Sequence, residues 1–235
     1  MTRRRWIADS VEGNRARLTG DHAHHLAQVL RAQVGQEFDI ATGSAVRRGR
    51  IVEVKPTEVV FEIGDEVEVS PRPNVALLLS IFKFDRMEWV IEKCTELGVS
   101  RIIPVVSARS EKHLAIAAMK RAERWRRIVR QAAEQSRQLE VPAVEQPLGL
   151  KEALKIDATS KIVLAEFDAD RPLRQSLVSG ASKVALAVGP EGGWTEVELR
   201  MFRESGWTAA SLGDNILRAE TAAIAAVAVL MSELQ

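Results

Sequence analysis

The sequence predicts a small β-rich domain followed by a larger α/β domain, and three observations carry that prediction. Ser70-Pro71-Arg72-Pro73-Asn74 places two prolines where neither a helix nor a paired strand can continue, so a linker falls there and the domains run 1–72 and 73–235. Before it, residues 45–55 and 58–69 alternate apolar and polar side chains as half-buried strands do. After it, short apolar runs at 75–81, 101–106, 161–166, 183–188 and 209–212 alternate with helical patterns, which is the signature of an α/β sheet.

Taken in order, the first domain offers one helix candidate, 21–30. Its His22, His24 and His25 form a local imidazole cluster without a cysteine or a distant ligand at metal spacing, so no metal site is predicted; one of them is expected to pack or to meet a phosphate. In the second domain a helix over 88–97 holds Cys94, the only cysteine, read as a small core residue; a lone thiol makes no internal disulfide or thiolate cluster and suits a reducing cytoplasm. Residues 119–138 form an amphipathic helix, with Ala122, Trp125, Val129, Ala132 and Ser136 at helical spacing and Lys120, Arg121, Arg124, Arg126, Arg127, Arg130 and Arg137 making a cationic outer face.

Composition bounds the class. The 235 residues, 46% hydrophobic, can bury one large core or two smaller ones. No apolar run approaches the ~20 residues needed to span a bilayer, and the opening Met1-Thr2-Arg3-Arg4-Arg5-Trp6 lacks the apolar stretch of a signal peptide. The net charge of +1 conceals segregation: residues 1–50 carry nine arginines against five acidic residues, whereas 51–70 carry Lys55 against six acidic ones. Arginines clustered on a small β domain form a phosphate-binding face or a solvated surface, and the first reading points to nucleic acid.

Two loops carry the chemistry. Residues 183–188 (KVALAV) read as a buried strand, followed by Gly189-Pro190-Glu191-Gly192-Gly193-Trp194-Thr195 and a helix. Thr195 and Glu198 have capping-box spacing, Trp194 and Leu199 can staple across it, and Gly206 sits where a left-handed cap belongs. Three glycines in five residues leave backbone groups uncovered, so the elbow suits close approach of a ligand as well as an ordinary tight turn. Downstream, Gly213-Asp214-Asn215 turns the chain after 209–212, and Arg218 precedes an Ala-rich helix over 220–230. Arg218 there can hold a phosphate or carboxylate bidentately, or make a structural ion pair. Neither a Gly-x-Gly-x-x-Gly nor a Gly-x-x-x-x-Gly-Lys-Ser/Thr is present, so a dinucleotide fold or a P-loop is unsupported.

Together these loops resemble the cofactor-binding motifs of the SPOUT methyltransferases. Other blocks resemble the RsmE family of that superfamily: Lys83, Arg86 and Glu88; Glu92 to Val99; Pro104; Ser107-Ala108-Arg109-Ser110; His24-His25-Leu26, Val29-Leu30-Arg31 and Gly35; and Glu134-Gln135-Ser136-Arg137 with Val141-Pro142. The resemblance spans nearly the whole chain. It implies an N-terminal PUA-like β-barrel that binds RNA, and a C-terminal α/β domain tied in a deep trefoil knot, which pattern alone would have drawn as an unknotted doubly wound sheet. It also implies a cytoplasmic homodimer, independent of membrane and metal, that uses S-adenosyl-L-methionine to methylate N3 of one uridine in 16S rRNA of the small ribosomal subunit. A SPOUT enzyme acting on transfer RNA or on a ribose 2'-hydroxyl, or a noncatalytic RNA-binding homologue, is the alternative.

On that resemblance the cofactor is expected against Gly189, Pro190, Glu191, Gly192, Gly193, Leu212, Gly213, Ile216, Leu217, Thr221 and Ala222. RNA is expected at Arg4, Arg5, His25, Arg31, Lys83, Arg86, Arg109, Arg130 and Arg137. The catalytic candidates are Glu191 or Glu220 as base, or Arg218 as electrostatic stabiliser of a uracil anion, and the sequence does not choose between them. Asp214-Asn215 departs from the Pro or basic residues more usual after Leu-Gly, and Ala219 stands where a hydroxyl or Arg is common, which removes polar contacts this loop could offer.

Overall fold

The computed structural model describes residues 5–43, 45–68, 73–136, 138–166, 169 and 171–234, so Arg4, Arg137 and most of the proline linker lie outside the described residues. The chain divides into two compact units, 1–71 with 133–141, and 72–132 with 142–235. A single boundary at 72/73 puts residues 133–141 in the second domain. They group with the first because Ala133, Leu139 and Val141 pack with Ile7, Ala41, Val46 and Val67.

The first unit is a six-stranded sheet of β1 (Arg5–Ile7), β2 (Ser10–Glu12), β3 (Arg15–Thr19), β4 (Glu37–Ala41), β5 (Val46–Lys55) and β6 (Glu58–Val67), in the order β1-β4-β5-β6-β3-β2. Every pairing is antiparallel except β1 with β4. Ala8 N–H still donates to Ala41 O at 2.9 Å, while Asp9 N–H donates to Arg17 O of β3 at 2.8 Å. One stretch of chain therefore joins opposite ends of the strand order and curls the sheet into a barrel. The helix expected over 21–30 splits into α1 (Gly20–His24) and a π-helical turn (His25–Val29), where Leu30 N–H reaches back five residues to His25 O. That widening, followed by Arg31 at φ 50°, accompanies burial of Ala23, Leu26 and Ala32 in the barrel core.

The second unit contains β7 (Asn74–Ser80), α2 (Phe84–Leu97), β8 (Arg101–Val106), α3 (Lys112–Gln135, its last turn grouped with the first unit), β9 (Ala143–Val144), β10 (Leu148–Gly149) and α4 (Leu150–Ala153). It continues through β11 (Ser160–Leu164), β12 (Arg171–Pro172), β13 (Lys183–Val188), α5 (Glu196–Glu204), β14 (Thr208–Ser211) and α6 (Ala219–Glu233). The sheet runs β10-β8-β7-β13-β11-β14-β12, with β9 also on β8, and every pair is parallel. Parallel strands are covered on both faces, which is why residues 75–79 and 184–188 are apolar without alternation and buried throughout.

Helix α3 starts seven residues before the expected 119. Of the expected stripe, Ala122, Trp125, Val129 and Ala132 are buried and Ser136 is half-buried, while Ala118 one turn earlier extends the buried face. The cationic face is partly neutralised, however. Glu88 of α2 accepts from Arg121 Nε at 2.7 Å and Arg124 Nε at 2.9 Å, and Arg126 bonds Glu123 and the Val144 carbonyl. Cys94 is fully buried and burial pushes its thiol pKa up, in keeping with a core residue.

Candidate functional site

Three adjacent strands, β13, β11 and β14, end at Val188, Leu164 and Ser211, and their carboxyl ends open into a cavity of about 970 Å³. That is where open parallel sheets place ligands. The volume is at the upper end of the usual range for small-molecule sites, about 300–1,000 Å³, and suits a nucleoside-sized ligand.

The elbow after β13 is shaped by its glycines. Gly193 adopts φ 67°, a left-handed conformation costly for side-chain-bearing residues. Gly189 is required for another reason: a Cβ there would lie 3.2 Å from Trp194 Nε1 and 3.3 Å from Cε2. The Trp194 indole is 7% exposed and stacks edge-on with Phe202 at 4.8 Å, so it forms a fixed wall behind the loop. Thr195 then starts α5 with the expected capping box: its hydroxyl accepts from Glu198 N–H at 3.3 Å, and Glu198 Oε2 accepts from Thr195 N–H at 2.8 Å. Gly206 follows α5 at φ 78°.

Of the expected cofactor residues, Gly189, Pro190, Glu191, Gly192, Gly193, Leu212, Gly213, Ile216, Leu217 and Ala222 all line the cavity. Thr221 does not; it is exposed on the first turn of α6. Ile216 is 71% exposed, so a large apolar side chain stands uncovered beside the cavity. Arg218 and Glu191 line it as well, whereas Glu220 is set behind, 5% exposed, with Oε2 lacking a hydrogen-bond partner among the described residues. Arg86 lies beside both carboxylates, its Nη1 3.6 Å from Glu220 Oε1 and 3.7 Å from Glu191 Oε1.

The residues expected on RNA are divided between the two units. Arg86 and Arg109 line the cavity. Lys83 is exposed just before α2, while Arg130 lies on α3. In the first unit Arg5 lies on β1, His25 opens the π turn with its ring 6.2 Å from that of Trp6, and Arg31 is exposed. His22, from the same imidazole cluster, is 2.6 Å from Glu134 through Nδ1, so it packs. Among the described residues no group of three or more His, Cys, Asp or Glu could hold a metal, and no helix is long and apolar enough to cross a membrane.

Sequence reasoning missed part of the cavity wall: Leu164, Ala165, Glu166 and Ala169 after β11, and Ser211 at the end of β14. The position of 161–166 as a strand was legible, and a carboxylate at the carboxyl end of a parallel strand was the available signal. It also missed that Glu198 Oε1 accepts from Ala108 N–H at 2.7 Å, a contact across ninety residues.

Comparison with known proteins adds an independent line. Residues 69–231 match the family model described as an RNA methyltransferase domain, and residues 18–64 match an RNA methyltransferase PUA domain. Ribosomal RNA small subunit methyltransferase E of Bacillus subtilis is 32% identical over 227 residues, 91% of this chain and 88% of that protein. The Aquifex aeolicus protein of the same name is 30% identical over 97% of this chain and 98% of its own length. Among solved structures, the Neisseria gonorrhoeae ribosomal RNA small subunit methyltransferase E bound to S-adenosyl methionine superposes with a TM-score of 0.84 at 30% identity, covering 99% of this chain and 98% of that one. A putative methyltransferase from Legionella pneumophila in complex with the same cofactor gives 0.85 at 28% identity, with 99% and 98% covered. The family model over residues 69–231 and relatives about 30% identical over most of their length place this chain in the ribosomal RNA small subunit methyltransferase E family.

Proposed function

We propose that this protein methylates N3 of a uridine in 16S rRNA of the small ribosomal subunit, using S-adenosylmethionine. The observation that carries the proposal is the cavity at the ends of β13, β11 and β14, whose lining joins glycine backbone to the guanidinium groups of Arg86 and Arg218. The backbone of 189–193 and 212–217 would hold the cofactor, which supplies an electrophilic methyl group. The side chains present fit it: the floor is left bare by glycine, and Glu166 and Asp214 offer acceptors for hydroxyl and ammonium groups.

Uridine N3 carries a proton that must leave before its lone pair can be methylated. We assign the base to Glu191, because its side chain is 37% exposed and lines the cavity, whereas Glu220 is closed off behind Arg86. Glu191 takes the N3 proton, and Arg218 faces the negative charge that then spreads onto the uracil carbonyl oxygens. Glu220 serves as the buried counter-charge of Arg86. Holding the uracil against the bound cofactor would supply much of the remaining rate.

The rest of the reading concerns assembly. The arginine-rich first unit carries RNA contacts alongside Lys83 and Arg130, in a cytoplasmic enzyme that needs no metal. The second unit is tied as a trefoil knot; in support, β13 lies between β7 and β11, and the final helix α6 packs on α2. Two copies associate, and support comes from α6: it is apolar on every face, yet Ile224, Ala225, Ala228 and Val229 are not buried within one chain.

The test is methylation of purified small subunits lacking the modification, with labelled cofactor and mapping of the product nucleotide. Label at uridine N3 of 16S rRNA supports the proposal. Label on a ribose hydroxyl or on transfer RNA, or no transfer at all, overturns it.

A further inference from the structure

We propose that Arg109 and Glu198 are positioning residues that clamp the glycine elbow in its cofactor-holding shape, so that Arg109 acts on the methyl donor's site and not on RNA. The inference rests on the function proposed above. Arg109 Nη1 donates to Gly192 O and, at 3.4 Å, to Trp194 O. Its aliphatic stem lies against the same turn, since a Cβ on Gly192 would come within 3.2 Å of Arg109 Cδ. A guanidinium whose donors point at two carbonyls of one turn fixes that turn's curvature, because both carbonyls must face the same way.

Glu198 makes the complementary half. Its carboxylate is buried, takes Thr195 N–H at 2.8 Å with one oxygen and Ala108 N–H at 2.7 Å with the other. Residues 108 and 109 thus reach the segment 192–198 near both its ends, the Ala108 N–H at the Glu198 carboxylate and the Arg109 guanidinium at the Gly192 and Trp194 carbonyls. The clamp is itself anchored: Ser110 Oγ donates to Ile81 O at 2.9 Å and lies 2.9 Å from Ser107 Oγ. The loop after β8 therefore behaves as a rigid bracket on which the elbow after β13 is hung.

The test uses the full-length protein, with S-adenosylmethionine as the calorimetric probe and rRNA affinity, melting temperature and steady-state kinetics as further readouts. Arg109→Ala is expected to weaken cofactor binding and raise its KM by about tenfold, the effect of losing a charge-assisted hydrogen bond. At saturating cofactor kcat should stay near wild type, and rRNA affinity should not change. Arg109→Lys, which can reach one carbonyl, should recover part of the affinity. Glu198→Gln, which keeps one acceptor oxygen, should show the same KM-against-kcat split. Unchanged cofactor affinity in Arg109→Ala, with or without weaker rRNA binding, would overturn the clamp while leaving the function intact. Failure of the wild type to bind S-adenosylmethionine would overturn the function and the clamp with it.

Discussion

Gly189→Ala isolates the geometry of the elbow. The added methyl would lie 3.2 Å from Trp194 Nε1, 3.3 Å from Cε2 and 3.4 Å from Cδ1. Non-bonded carbon atoms settle at about 3.5–4.0 Å, so the ring or the loop must shift by a few tenths of an ångström. The ring has little freedom to do so: Phe202 meets it edge-on at 4.8 Å and Trp207 meets Phe202 at 5.2 Å. Overpacking at such a site costs about 2 kcal/mol, within the usual 1–3. For a domain of this size that lowers the melting temperature by about 4–8 °C. Cofactor affinity should fall in parallel, because relief by moving the loop displaces the backbone that lines the cavity. Calorimetric melting and titration with S-adenosylmethionine measure both. A variant that melts and binds like the wild type would refute the claim that the indole dictates glycine at 189.

Other expectations follow from neighbouring groups. Arg218→Ala should reduce turnover on small subunits by about 10²–10³-fold, the effect of removing one electrostatic stabiliser, and intact turnover would remove Arg218 from the mechanism. Glu191→Gln should lower kcat by about 10²–10⁴-fold as a lost base does, and a larger loss in Glu220→Gln would reverse the assignment of the two carboxylates. Cys94 should resist maleimide in the folded protein and react on unfolding, since it is buried and its thiolate is disfavoured; rapid labelling of the native protein would contradict that. The Asp157 carboxyl is held below the usual range by its hydrogen bond and charge attraction to Lys183, at 2.7 Å. A depressed folded pKa contributes stability above the ordinary carboxylate value and loses it as pH falls through the lowered one. An NMR titration of Asp157 should therefore move to higher pH in Lys183→Gln, and no movement would count against the pair.

Much of the second unit was legible in the sequence because its main strands are buried on both faces, so apolar runs such as 183–188 mark them without ambiguity. The capping box at Thr195 was equally plain, since its two bonds close within three residues. What escaped depended on distant chain. The two-residue strands β9, β10 and β12 exist only through pairing with β8 and β14 and have no period of their own. Residues 133–141 join the first unit through packing that follows from no local pattern. Arg109 reads as an RNA contact, and only the fold turns it toward the Gly192 carbonyl. Arg121 and Arg124 likewise read as a free cationic stripe until α2 brings Glu88 beside them. The π-helical turn at His25–Val29 follows from no local sequence pattern.

The pairing of β13 with β7, Lys183 opposite Asn74 through Val188 opposite Leu79, has a kinetic meaning. Contacts between segments so far apart in the chain form late, since closing a long loop must precede the reward of pairing. The elbow that follows Val188 has no shape before that register is set, whatever helices have already formed. Cofactor affinity is thus a property of the finished molecule alone, and during refolding the ability to bind S-adenosylmethionine should appear with the slowest phase, well after helical circular dichroism has recovered.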